Sequence, residues 1–234
     1  TTLVSVMAVN NETGFVHDIP AVRELAGRAG ARLHVDAVQA GGRLPVSAFD
    51  ADLVVMSGHK LGGLPGAGVL ALRDDIPLAP AVVGGPQERG KRAGTESVAA
   101  AVALAEALER AESKREAENA RLARLRDRLD DALRALPGVA ILDRGPRVAG
   151  VTTAVFDDVD GEVLLQALEL EGVAASSGSA CSSGSLEPSH VLLALGVDPA
   201  RALSAVRFSL GWATTEDEVE EVARLLPGLL DRAR

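Results

Sequence analysis

Tyrosine is absent from these 234 residues, tryptophan occurs once and phenylalanine four times. So thin an aromatic set provides no stacking platform for bases. Positive charge is short as well. Only 24 Lys and Arg stand against 33 Asp and Glu, for a net charge of −9. With no basic stripe to offset that balance, no nucleic-acid partner is expected. Nowhere do eighteen apolar residues follow one another, and no signal peptide opens the chain, so a soluble, cytoplasmic protein with no membrane partner is expected. Cys181 is the only cysteine. A single thiol excludes an intrachain disulfide and a multi-cysteine metal site. It leaves three readings open: an inert buried thiol, a reactive thiol or an intermolecular bridge. His17, His34, His59 and His190 stand at no metal-ligand spacing, so no metal is expected.

Apolar residues are plentiful at 47%, enough for a packed core, and the length suits one large or two modest domains. Residues 1–94 alternate short apolar runs with helical patterns and glycine turns. Strands are expected at 3–9, 33–37, 53–56 and 68–72, with a helix over 19–29, which argues for an α/β domain with a mainly parallel sheet. Residues 96–136 form one long helical pattern in which Glu, Arg and Lys recur at three- and four-residue spacings, as on a solvated face. Pro137-Gly138 stops it. Beyond lie expected strands at 139–142 and 152–156, a helix over 162–171, a short strand before Ser176, a helix near 188–195, a strand at 206–210 and a terminal helix from Glu216. This reads as a small α+β domain. Domains are therefore expected at 1–113 and 114–234, with a flexible Gly/Ser-rich stretch at 176–185.

The most informative stretch is Ser57-Gly58-His59-Lys60, at the exit of the apolar run Leu53-Val54-Val55-Met56. Open α/β sheets place ligands at strand ends. Lysine is the side chain that joins carbonyl cofactors once its ammonium is desolvated or crowded by another cation. Lys60 could equally be a solvated loop residue. Asp36 ends the preceding strand, Leu33-His34-Val35-Asp36; it is a helix cap, a surface acid, or a carboxylate facing the ring nitrogen of pyridoxal phosphate (PLP). Such a carboxylate keeps the pyridine protonated, so that the ring can take up electrons from substrate. Gln39 lies three residues on, within reach of the same cofactor.

His34-Val35-Asp36-Ala37-Val38-Gln39, Ser57-Gly58-His59-Lys60 and Arg92-Ala93-Gly94-Thr95 resemble the motifs of fold-type I, class V PLP enzymes. Ser176-Ser177-Gly178-Ser179-Ala180-Cys181 and Val206-Arg207-Phe208-Ser209-Leu210-Gly211 narrow the resemblance to the cysteine desulfurases, and Val9-Asn10-Asn11-Glu12 agrees. The cysteine segment, followed by Ser185-Leu186-Glu187-Pro188-Ser189-His190, is similar to that of the NifS/IscS-like group. The resemblance implies that Lys60 carries the cofactor and abstracts the Cα proton. Asp36 would pair with the pyridine nitrogen and Gln39 with the phenolic oxygen, while Ser57 and His59 hold the phosphate. Thr95 would reach the phosphate of a neighbouring subunit, which implies a homodimer. Asn11 and Arg207 would grip the carboxylate of L-cysteine. Cys181 would take the sulfur as a persulfide, release alanine, and pass the sulfur to an acceptor protein, an iron–sulfur scaffold or a thiolation factor.

Members of this family also carry an N-terminal part with a phosphate-binding turn and a histidine stacked on the cofactor ring. No residue here matches either by motif, so a fragment, or a subunit completed by a separate chain that supplies the N-terminal half, is expected. Three other readings stay open: a class V aminotransferase, a selenocysteine lyase, and a non-catalytic half that docks on a sulfur acceptor.

Overall fold

A computed structural model describes residues 1–178 and 187–234, which divide into two compact units. The first comprises residues 1–9 and 17–115, the second residues 10–16 and 116–234.

The first unit opens with β1 (Leu3–Met7), α1 (Ile19–Arg28) and β2 (Arg32–Asp36). Asp18 caps α1 by accepting from the backbone N–H of Ala21 at 3.0 Å, and Pro20 stands in the first turn, where a missing N–H costs nothing. β3 (Leu53–Ser57) and β4 (Gly68–Leu72) complete a four-stranded sheet in the order β1-β2-β3-β4. β1, β2 and β3 run parallel, whereas β4 lies antiparallel to β3. β2 has neighbours on both sides, and its Leu33 and Val35 are wholly buried. The expected alternation of strand and helix breaks twice. β2 and β3 are joined by turns and the short 3-10 segment Val46–Ala48 rather than by an α-helix, and β3 and β4 are joined only by the 3-10 segment Gly58–Leu61.

Asp52 ties this unit together where the chain enters β3. Its carboxylate is 2% exposed; it accepts from Leu33 N–H at 2.7 Å, from Arg23 at 2.7 Å and from Arg32 at 3.2 Å. Burial pushes this carboxyl up, but the Leu33 amide and the Arg23 guanidinium outweigh burial and hold it below the ordinary carboxylate value. A carboxyl lowered in the folded state stabilises above its unfolded value and loses that contribution as pH falls through its folded value. Asp52→Ala is expected to cost about 2 kcal/mol, because it leaves the Leu33 amide without its acceptor and removes one of two carboxylates from Arg23 and from Arg32. Urea denaturation at pH 7 measures that loss. The parent should also weaken below about pH 4, with a slope that is shallower in the variant.

α2 (Val98–Arg134) is 37 residues long. The expected ion-paired face is present, as in Arg115–Glu112 and Arg121–Glu118. In the second unit, however, α2 also buries Leu122, Leu125, Leu129 and Leu133, one stripe at helical spacing. Asp130 departs from the solvated reading. It is 1% exposed and accepts from Arg147 and from Thr152 Oγ1, each at 2.6 Å.

The second unit continues through β5 (Val139–Ile141), β6 (Val151–Phe156), α3 (Gly161–Leu170), β7 (Ser176–Ser177), α4 (His190–Ala194), α5 (Pro199–Leu203), β8 (Val206–Ser209) and α6 (Glu216–Ala233). Its sheet has the order β5-β6-β8-β7 and is antiparallel throughout. α2, α3 and α6 pack Leu129, Leu164, Leu168, Leu226 and Leu229 against Phe156 and Phe208 of the sheet. α5 has no counterpart among the expected elements. It is five residues long and rests on Asp198, which accepts from the backbone of Ala200 and Arg201. Thr215 and Glu218 start α6 with a reciprocal capping box, and the helix runs on through Pro227.

Candidate active site

Five of the expected site residues share one edge of the first unit's sheet. β2 and β3 are parallel neighbours, with Asp36 paired to Val55, so Asp36 and Ser57 end their strands on the same side. Asp36 is half-buried; its Oδ1 accepts from Val38 N–H at 2.9 Å, which fixes the carboxylate. Gln39 lies in the turn after β2. Arg43 donates to its Oε1 at 3.1 Å, so its amide NH2 stays available to donate. No sequence signal marked Arg43 for that task.

After β3 the chain tightens into the 3-10 turn Gly58–Leu61, with His59 and Lys60 in its last positions. Ser57 Oγ and His59 Nδ1 are hydrogen-bonded at 2.7 Å, so hydroxyl and imidazole act as one unit. Gly62 closes the turn at φ 82°, a backbone state that L side chains resist. Gly63 N–H donates to Gly58 O at 2.9 Å. Lys60 is exposed in this chain and not desolvated. A carboxylate for a ring nitrogen, a lysine for an aldehyde and a hydroxyl–imidazole pair for a phosphate are all at one strand-end edge, so the residues fit pyridoxal phosphate.

Thr95 lies elsewhere in the same unit. It lines a groove of about 940 Å³ together with Leu70, Arg92 and Leu104, and neither Asp36 nor Lys60 reaches that groove.

Asn11 and Arg207 fall in the second unit and are joined there. Arg207, in the central strand β8, donates to the carbonyl of Asn11 at 2.8 Å and to Ser176 Oγ at 3.3 Å. The Nε of Arg207 is buried with no hydrogen-bond partner among the described residues. Ser176 was quoted as part of a motif but given no task. Cys181, and with it most of the Gly/Ser-rich stretch, lies outside the described residues. Among the described residues no helix is long and apolar enough to cross a membrane.

Comparison with known proteins now bears on this arrangement. The chain is 42% identical over 99% of its length to the cysteine desulfurase NifS of Azotobacter vinelandii, covering 59% of that protein. It is 43% identical over 99% of its length to an IscS-like cysteine desulfurase of Mycobacterium tuberculosis, covering 60% of it. The chain thus spans about 60% of the length of these curated relatives. Among solved structures, a NifS-like protein from Rickettsia africae superposes with a TM-score of 0.90 at 28% identity, over 98% of this chain and 62% of the other. The α/β and α+β units thus have the architecture of NifS-like, fold-type I enzymes. The pattern of the family Aminotransferase class-V matches residues 1–222, and the chain belongs to that family.

Proposed function

We propose that this chain works in a cysteine desulfurase that takes sulfur from L-cysteine with the help of pyridoxal phosphate. The observation that carries the reading is the meeting of Asp36, Ser57, His59 and Lys60 at one edge of parallel strands, in a chain matched over its length by desulfurases. Pyridoxal phosphate, when bound, supplies a ring that takes up the electrons left behind when a substrate Cα proton is removed.

Lys60 holds the cofactor's aldehyde carbon and, once displaced by substrate, moves the proton at Cα. Asp36 Oδ2 keeps the ring nitrogen protonated, and Gln39, steadied by Arg43, donates to the phenolic oxygen. Ser57 and His59 receive the phosphate, and Thr95 serves the phosphate of a second copy, which makes the working form a homodimer. Arg207 and Asn11 hold the substrate carboxylate, a task suited to the planar guanidinium. The Cys181 thiolate attacks the substrate sulfur. The carbon–sulfur bond breaks as a sulfur–sulfur bond forms, its electron pair stays with Cβ, and alanine leaves after Cβ takes the proton given up by the Cys181 thiol and Cα regains its own.

The persulfide then passes to an acceptor protein, an iron–sulfur scaffold or a thiolation factor, in the cytoplasm. An N-terminal half, on this or a separate chain, completes the cofactor site.

Cys181→Ala separates the readings. In the protein completed to the family's length, it is expected to abolish alanine release from L-cysteine. An aminotransferase would keep full turnover in that variant, and that result would sink the desulfurase reading. A strong preference for selenocysteine over cysteine would reassign the enzyme as a selenocysteine lyase. Failure of the completed protein to bind pyridoxal phosphate would leave a non-catalytic docking half.

A further inference from the structure

Glu12 and Ser189 belong to motifs quoted above, yet the chemistry just described uses neither. Both are in the second unit, at 6% and 3% exposure, and they are bonded to each other. Ser189 Oγ donates to Glu12 Oε2 in a short hydrogen bond. The same hydroxyl accepts from Val191 N–H at 3.2 Å and Leu192 N–H at 3.3 Å, capping α4. The serine alone satisfies those amides, so capping does not explain a buried carboxylate. Burying a charge is unfavourable unless the site needs its directed bonds.

The surroundings show what those bonds connect. The carbonyl of Glu12 accepts from Thr153 Oγ1, and Thr153 is the β6 partner of Arg207. Arg207 in turn holds the carbonyl of Asn11 and the hydroxyl of Ser176. On the other side of the undescribed stretch, Gly178 N–H donates to Ala205 O at 3.1 Å. A Cβ on Gly178 would come within 3.2 Å of Leu192 Cδ1, in the helix that Ser189 caps. The two roots of the Cys181-bearing segment, at Gly178 and Ser189, are thus packed together and tied to the residues next to Asn11.

We propose that Glu12 and Ser189 are positioning residues that hold the root of the Cys181-bearing segment in register with the Asn11–Arg207 carboxylate grip. The inference rests on the desulfurase reading. Without the clamp, substrate binds as before but the thiol is offered to it less often. Rates respond steeply to such misplacement, so kcat should fall about tenfold in Ser189→Ala while KM for L-cysteine stays within about twofold. Ser189→Thr, which keeps the hydroxyl that bonds Glu12 and caps α4, should restore the rate.

A second readout needs neither cofactor nor turnover. Cys181 is the only thiol, so iodoacetamide reports on it alone. Its alkylation should quicken about threefold or more in Ser189→Ala, and by a smaller factor in Glu12→Gln, whose amide oxygen still accepts. Parent-like alkylation in both variants, or a rise in KM with unchanged kcat, overturns the proposal. If the parent protein releases no alanine from L-cysteine, the desulfurase reading falls, and alkylation still decides whether the clamp holds the segment.

Discussion

Lys60→Ala, supplied with pyridoxal phosphate and completed to the family's length, is expected to release alanine from L-cysteine about 10²- to 10⁴-fold more slowly than the parent. Lys60 lies within the 3-10 turn Gly58–Leu61, after the Ser57–His59 pair and before a glycine at φ 82°. Its amine has two tasks in the proposed reaction, holding the cofactor and moving the Cα proton, and alanine can do neither. Lys60→Arg separates them. It keeps the positive charge but neither joins an aldehyde nor gives up a proton near neutral pH, so it should fail as badly. Alanine release is measured directly, and the near-visible absorbance of the bound cofactor should vanish with the lysine. Turnover within tenfold of the parent would remove Lys60 from the chemistry.

Arg207→Lys should act on binding instead. The guanidinium reaches the Asn11 carbonyl and Ser176 Oγ at once, and its buried Nε makes no hydrogen bond among the described residues. A lysine head is a compact charge that cannot reproduce that fork. Loss of a charge-assisted contact of this kind is worth about 2–3 kcal/mol, roughly a 30- to 150-fold rise in KM for L-cysteine. Cofactor binding should be untouched, because the residues assigned to it lie in the other unit. An unchanged KM, with the variant melting at the parent's temperature, would take the substrate carboxylate away from Arg207.

Much of this architecture was legible because local patterns specify local elements. The strand expected over 68–72 is β4 (Gly68–Leu72), and the charged helical run does end before Pro137-Gly138. Strand direction was not legible. An apolar run looks alike whichever way it points, so the antiparallel course of β4 left no mark. α5 escaped notice because a five-residue helix carries too little periodicity to detect. At the candidate site, the motifs named Asp36, Gln39, Ser57, His59 and Lys60 but not the side chains that steady them. Arg43 behind Gln39 and Ser176 beneath Arg207 act through contacts that local patterns do not record. The bond between Ser189 and Glu12 spans 177 residues of chain, and no window of sequence reports a partner that distant.

The strap formed by residues 10–16 has a consequence for the order in which this protein is made. Residues of the first unit flank it on both sides, yet its partners Thr153, Ser189 and Arg207 are all synthesised well after it. The carbonyl of Asn11 waits for a guanidinium 196 residues later. Closing so long a loop is entropically unfavourable and slow compared with the local pairing of β3 and β4. A nascent chain therefore holds the strand ends of Asp36 and Ser57 well before the contact between Asn11 and Arg207, the proposed carboxylate grip, exists. A fragment starting at residue 116 would never acquire that grip, however well its own core folded.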